Sequence, residues 1–126
     1  MEGKTDTRKI EDILQEELLQ ERAYVLGRAG QKVAHALARL QEAAAAIDAL
    51  YTQQGVEPLG DEQEITPRYQ LLRELNEQIG RYNELREEAK LMFYYLIVTR
   101  EAIGIRRHHF VEEAYRIPPR KQLVQE

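Results

Sequence analysis

Apolar residues recur at alternating steps of four and three along the first half of the chain. The positions with this spacing are Leu19, Ala23, Leu26, Gly30, Val33, Leu37, Leu40, Ala44, Ile47 and Tyr51. A heptad pattern of this length is typical of a coiled-coil or helical-hairpin seam. No proline interrupts it, so it predicts one helix over residues 7–54. Before Leu19 the phase changes, because Ile10, Leu14 and Leu18 step by four, and we expect this end to face a different partner.

A second apolar stripe with helical spacing follows a segment that contains glycine and proline. Thr66 and Pro67 form a typical helix start, because threonine caps the first turn and the first helical position needs no N–H donor. Gly104 is suited to end this helix in the left-handed conformation. The predicted elements after the first helix are a loop at residues 55–65, a helix at 67–103, a short helix at 108–116 and an extended basic tail at 117–126.

A short loop between two long helices makes the helices antiparallel. The sequence therefore predicts an all-α protein of one domain, residues 1–126, in which a long coiled-coil-like helical hairpin carries a short C-terminal helix. With the loop centred near residue 60, the numbers of facing residues sum to about 120. Gly27, Gly30 and Gly80 lie inside these helices, where glycine costs about 1 kcal/mol relative to alanine. Each marks either the close approach of a bulky group or a tolerated surface position.

Residues 91–98 form an unbroken apolar run that covers the whole circumference of the second helix. A two-helix hairpin buries only one stripe of each helix, so part of this run needs cover from the third helix, a second copy or another protein. We expect a homodimer or larger homo-oligomer that assembles into a helical bundle. The predicted interface residues are Met92, Phe93, Tyr94, Tyr95, Ile97 and Val98.

Composition narrows the function mainly by exclusion. The chain has no cysteine and no serine, which rules out disulfides and the commonest covalent nucleophiles, and it has no glycine-rich phosphate loop. We therefore expect no enzymatic activity and no cofactor. The longest apolar run is far shorter than the roughly 20 residues of a membrane span, and the first residues lack the apolar core of a signal peptide. These features predict a soluble, cytoplasmic protein with no membrane partner.

Two histidines and two glutamates cluster in the predicted third helix. His108 and Glu112 are four residues apart, and so are His109 and Glu113. Such residues are suited either to bind a divalent cation such as zinc or to form charge-assisted pairs that stabilise a helix by a few tenths of a kcal/mol. Adjacent side chains on a helix point about 100° apart, so the two imidazoles do not converge on one ion. We predict carboxylate or solvent partners for these histidines rather than a metal.

The C-terminal segment is basic in a chain whose net charge is −4. Its cationic side chains are Arg100, Arg106, Arg107, Arg116, Arg120 and Lys121. These side chains are suited to contact nucleic-acid phosphates, with Phe110 and Tyr115 available for base stacking. The acidic net charge argues against a general nucleic-acid binder. The predicted register also places residues 100–107 beside the acidic residues 11–21, so we expect ion pairs within the protein or between subunits.

The sequence thus predicts a non-enzymatic helical module for protein–protein interaction. Such a protein acts as a scaffold, an adaptor or a small chaperone, and we expect this one to work as a homo-oligomer that also holds a partner in an apolar helical groove. The alternative is a small nucleic-acid-binding protein that uses the basic C-terminal segment.

Overall fold

A computed structural model describes the backbone of residues 2–55 and 65–124, and the side chains of residues 7–53 and 68–124. Three helices follow one another along the chain: α1 (Glu2–Gly55), α2 (Ile65–Ala102) and α3 (His109–Ala114). The described ranges contain no strand. The predicted all-α hairpin with a short third helix is confirmed. The predicted loop at residues 55–65 lies almost entirely outside the described residues.

The antiparallel helices α1 and α2 bury one continuous seam between them. The buried residues are Val33, Ala36, Leu40, Ala43 and Ile47 of α1, and Leu75, Ile79, Tyr82, Leu85, Ala89 and Leu96 of α2. Leu37, Ala44 and Leu50 pack against this core at its edge. Alternating steps of three and four place these side chains on one stripe of each helix, which is why the two stripes meet along the hairpin.

The seam is shorter than the heptad pattern predicts. Arg39 pairs with Glu88 at 3.2 Å, so facing residue numbers sum to slightly more than the predicted value. Because α2 ends at Ala102, it does not reach the first third of α1. Leu19 and Ala23 were expected in the seam and are exposed instead, and Leu26 is the first partly buried position. At the other end Tyr51 is also exposed.

A glycine turn ends α2 and reverses the chain. Gly104 has φ +96°, a conformation that glycine adopts without the steric cost of a side chain. The Ile105 amide donates to the Arg100 carbonyl at 2.9 Å, and the Gly104 amide donates to the Glu101 carbonyl at 3.0 Å. This is the Schellman arrangement that the sequence predicts here. The chain therefore turns back along the hairpin instead of continuing beside α1.

The tail, residues 115–124, has no regular secondary structure and lies along α2. Pro118 contacts Arg86 and Val124 contacts Asn76, so the tail runs antiparallel to α2. The hydroxyl of Tyr115 lies 3.3 Å from the position that a Cβ would take at Gly30. The close-approach interpretation therefore holds for Gly30, although the bulky group comes from the tail and not from the facing helix. Gly27 and Gly80 face open space.

Candidate functional site

The described side chains at the start of α1 lie outside the seam of the hairpin. We call residues 7–23 the α1 extension; all of them are exposed. At 1.5 Å per residue this single helix projects about 25 Å beyond the hairpin. Its large aliphatic residues, each roughly half exposed or more, are Ile10, Ile13, Leu14, Leu18 and Leu19. A helix of this length is marginally stable alone in water, and most helices gain their stability by packing an apolar face.

The apolar side chains of the extension form one stripe. Ile10, Leu14 and Leu18 are successive steps of four, so they share a face, and Val25 continues that face one heptad later. Leu19 points to the opposite side of the helix from Ile10. Val25 is exposed on the hairpin, so the stripe continues onto the face of α1 beside the buried seam.

On that face, α1 and α2 form a groove of about 300 Å³, which we call the open groove. It is lined by Tyr24, Val25, Arg28, Ala29, Lys32, Met92, Tyr95 and Thr99. Its walls are mainly apolar and aromatic, and its cations come from α1. Arg28 lies 6.0 Å from the centre of the Tyr24 ring. Neither Arg28 nor Lys32 forms an ion pair with a described carboxylate.

The charges of the extension and the open groove are complementary. Most ionisable side chains of the extension are acidic: Glu11, Asp12, Glu16, Glu17 and Glu21, against Arg8, Lys9 and Arg22. The rim of the open groove carries Arg28 and Lys32. An acidic helix with an apolar stripe therefore matches an apolar groove with a basic rim.

The predicted interface residues divide between the two sides of α2. Tyr94 is 60% exposed, and Tyr95 and Val98 are also exposed. The half-buried members are Met92, Phe93 and Ile97. The rings of Tyr94 and Tyr95 lie 6.1 Å apart, and Tyr95 with Met92 lines the open groove. The apolar run is thus uncovered in the single chain at the place where the groove lies.

His108 is held by α2 rather than by its own helix. Its Nε2 lies 3.1 Å from a Glu101 carboxylate oxygen, and its Nδ1 accepts a hydrogen bond from Arg100 Nε at 3.2 Å. The carboxylate partner of His108 is Glu101 and not Glu112, because His108 precedes α3 and only its carbonyl contacts the Glu112 amide. His109 stacks on Phe110 at 4.1 Å. Among the described residues no group of three potential metal ligands occurs.

Two of the six residues in the predicted basic patch have partners within the chain. Arg100 contacts His108 and the Arg107 carbonyl, and Lys121 lies over the Tyr82 ring at 5.1 Å. The exposed members are Arg106, Arg107, Arg116 and Arg120. The expected ion pairs with residues 11–21 do not form within the described chain, because the turn at Gly104 directs the segment away from the α1 extension.

Residues of α2 that the sequence patterns did not single out hold the tail. Asn76 and Asn83 each bond to one tail residue through both amide atoms, and Tyr82 and Arg86 bond to tail carbonyls. Burial raises the pKa of the Tyr82 hydroxyl, and the nearby Arg86 guanidinium partly offsets this effect. The sequence feature that could have indicated these residues is the pair of asparagines seven residues apart in a helix otherwise rich in strong helix formers.

Comparison with known proteins found no matching family model, no matching curated protein and no matching solved structure. No helix in the described ranges is long and apolar enough to cross a membrane.

Proposed function

We propose that the protein is a non-enzymatic helical interaction module that acts in the cytoplasm as a homo-oligomer. The observation that carries this proposal is the α1 extension, whose Ile10, Leu14 and Leu18 form an apolar stripe that the described residues leave exposed. An amphipathic helix gains stability when that stripe is covered. The exposed stripe is therefore suited to bind a second chain, and binding of this kind is the basis of scaffold and adaptor function.

The occupant that we propose for the stripe is a second copy of the chain. In a twofold, antiparallel arrangement, the extension of each copy lies in the open groove of the other. When facing residue numbers sum to about 43, Leu14 meets Ala29 and Leu18 meets Val25. The same register pairs Glu11 with Lys32 and Glu21 with Arg22, so these charged positions are consistent with the pairing of Leu14 and Leu18.

Such a dimer also covers part of the apolar run on α2. Met92 and Tyr95 form the α2 wall of the open groove, so a helix seated there covers them. Tyrosine suits the rim of an interface, because its ring is apolar and its hydroxyl reaches solvent. Each groove then contains three helical segments, α1 and α2 of one copy and the extension of the other copy, in a closed arrangement with no repeating head-to-tail contact.

Multi-angle light scattering at tens of micromolar tests this proposal. We expect the wild-type chain to have twice the 14.7 kDa monomer mass. Leu14→Glu combined with Leu18→Glu places two charges in the stripe, and we expect a monomer. Leu19→Glu is the matched control, because Leu19 is at least as exposed and lies off the stripe. A monomeric wild type, or a control that dissociates as readily as the double variant, contradicts the proposal.

The alternative function is binding of single-stranded nucleic acid at the turn before α3. The observation that favours it is Phe110, which is 70% exposed and stacked on His109, beside Arg106 and Arg107 without carboxylate partners in the described chain. Aromatic rings and arginines of this kind are suited to bases and phosphates. Fluorescence anisotropy with a labelled oligonucleotide is the test. Micromolar binding in physiological salt that is lost in Arg106→Glu with Arg107→Glu, at unchanged helicity, favours this alternative over the scaffold.

A further inference from the structure

We propose that Asn76, Tyr82, Asn83 and Arg86 form a binding site for an extended peptide, which the chain's own tail occupies and which accepts a partner segment of the same chemistry. We call this surface of α2 the asparagine groove. It lies on the side of α2 opposite Met92 and Tyr95, so it is independent of the proposed dimer contact.

Each asparagine pairs with the backbone of one tail residue. Asn83 Nδ2 donates to the Lys121 carbonyl at 2.9 Å, and the Lys121 amide donates to Asn83 Oδ1 at 3.0 Å. In the same way, Asn76 Nδ2 donates to the Val124 carbonyl at 2.9 Å, and the Val124 amide donates to Asn76 Oδ1 at 2.7 Å. A carboxamide has a donor and an acceptor side by side, so it replaces the neighbouring strand that an extended residue pairs with in a sheet.

The spacing of the two asparagines matches an extended chain. Asn76 and Asn83 are seven residues apart in a helix, a distance of about 10.5 Å along its axis. Lys121 and Val124 are three residues apart, and an extended chain covers about 10 Å in three residues. A helical peptide is too short in this register, since three of its residues rise only about 4.5 Å. The groove therefore selects extended conformation by its geometry.

The remaining hydrogen bonds also go to the backbone. Arg86 Nε donates to the Pro118 carbonyl at 2.7 Å, and the Tyr82 hydroxyl donates to the Pro119 carbonyl at 3.2 Å. Both groups use only a carbonyl, so a residue without an N–H is accepted at these two positions. Proline is suited there, because it favours the extended polyproline conformation and lowers the entropy lost on binding.

Two residues whose backbones pair with the asparagines also make side-chain contacts. The Lys121 ammonium lies 5.1 Å from the centre of the Tyr82 ring, and Val124 packs against the buried core of the hairpin. In contrast, Arg120, Gln122 and Leu123 are exposed. The chemistry that fits is therefore an extended segment with the pattern Pro-Pro-x-Lys-x-x-Val, in which x is any residue that tolerates solvent.

The chain's own tail is held in a way that permits exchange. The helix that links it to α2, α3, has no buried residue. A cleft of about 540 Å³ also remains beside the tail, lined on the α1 side by Leu37, Leu40, Gln41 and Ala44. The tail thus fills the α2 half of this face and leaves the α1 half open. A tethered segment competes with free peptide through its high effective concentration, so binding in trans is strongest when the tail is released.

The test uses the full chain with Lys121→Pro and Val124→Pro. These changes remove both amide donors from the tail and leave the groove intact. We expect a fluorescent peptide of residues 115–124 to bind this variant at about 10–100 μM and to bind the wild-type chain at least about tenfold more weakly. Asn83→Ala in the released variant should weaken binding at least about tenfold, because two peptide groups lose their partner.

Two N-methylated peptides distinguish recognition of the peptide backbone from nonspecific binding. N-methylation at Lys121 removes an amide that Asn83 binds, and we expect at least about tenfold weaker binding. N-methylation at Gln122 is the matched control, and we expect at most about a twofold change, because the structure gives this amide no hydrogen bond. The proposal is overturned by no saturable binding at about 1 mM peptide, by equal binding to the wild type and the released variant, or by equal effects of the two methylations.

Amide hydrogen exchange in the wild-type chain keeps the proposal testable if the released variant fails to fold. We expect the amides of Lys121 and Val124 to exchange at least about tenfold more slowly than those of Gln122 and Leu123. Asn83→Ala should remove the protection at Lys121. Equal exchange at all four amides would show that the asparagines do not hold the tail, and it would overturn the proposal.

Discussion

The two ends of α1 have similar amphipathic sequences and opposite environments. Val33 and Ile47 are 0% exposed in the seam, whereas Leu14 is 58% exposed on the extension. The difference arises in α2, which ends at Ala102 before it can cover the first third of α1. An apolar stripe is therefore buried only as far as its partner extends. The uncovered remainder of the same helix is the part that is available to another chain.

The largest expected effect is on the free energy of unfolding, and it should distinguish a leucine in the core from a leucine on the extension. Leu40→Ala should lower the free energy of unfolding by about 2–5 kcal/mol, because it leaves a cavity in the seam. Leu14→Ala should change the stability of the isolated monomer by less than about 0.5 kcal/mol. Urea denaturation at a concentration too low for association measures both. Equal losses would show that the extension packs within its own chain.

A substitution on the face of α2 that the tail covers should have an intermediate effect on the free energy of unfolding. We expect Asn83→Ala to lower the free energy of unfolding by about 1–3 kcal/mol, because the Lys121 amide and carbonyl lose their partner. Gln122→Ala is the control, and its exposed side chain should contribute less than about 0.5 kcal/mol. Thermal denaturation followed by circular dichroism distinguishes the two variants. Indistinguishable midpoints would contradict the assigned contact.

A smaller effect on the free energy of unfolding should appear at high pH, where the Tyr82 hydroxyl loses its proton. Burial raises its pKa above the ordinary 10.0, so the unfolded chain loses this proton at lower pH than the folded chain does. The stability that the neutral hydroxyl contributes is complete below pH 10.0 and is lost as pH rises through the higher folded value. Tyr82→Phe should therefore lose less stability between pH 9 and pH 11.5 than the wild type. Urea midpoints across this range give the comparison, and parallel curves would contradict it.

The smallest expected effect concerns the charges between extension and groove. Glu11→Lys should weaken self-association about two- to fivefold, because it replaces an exposed attraction to Lys32 with a repulsion. Adding Lys32→Glu should restore the wild-type affinity, since the reversed pair is attractive again. Sedimentation velocity over a dilution series measures this double change. Failure of the second substitution to rescue the first would assign these residues to different contacts.

Local patterns were sufficient for the hairpin and its stop signal. Val33, Leu40 and Ile47 of the seam follow from spacing, and the glycine at position 104 predicts the stop of α2. Ala36 and Ala43 are buried where the heptad placed Leu37 and Ala44, which lie at the edge of the core. The heptad pattern also predicted a seam that reaches Leu19, which is exposed in the structure. This error arises because a pattern on α1 carries no information about where α2 ends. The proposed dimer accounts for that uncovered end, but self-association itself stays a prediction.

The asparagine groove could not be predicted because it depends on a reversal of the chain. The tail returns to α2 only after the turn at Gly104, and the partners are up to 48 residues apart in sequence. Asn76 and Asn83 carry no motif and resemble ordinary solvated helix positions. The same reversal explains why His108 pairs with Glu101 and why Arg106 and Arg107 lie away from the acidic extension.

Cross-linking through single cysteines tests the proposed antiparallel pairing of α1 most directly. The chain has no cysteine, so each introduced thiol is unique. The twofold axis of the proposed register passes between residues 21 and 22, so Glu21→Cys should form a disulfide-linked dimer under mild oxidation. Leu14→Cys should not, because Leu14 faces Ala29 and lies about 20 Å from its own copy. Efficient cross-linking of Leu14→Cys, or none at Glu21→Cys, would contradict the account.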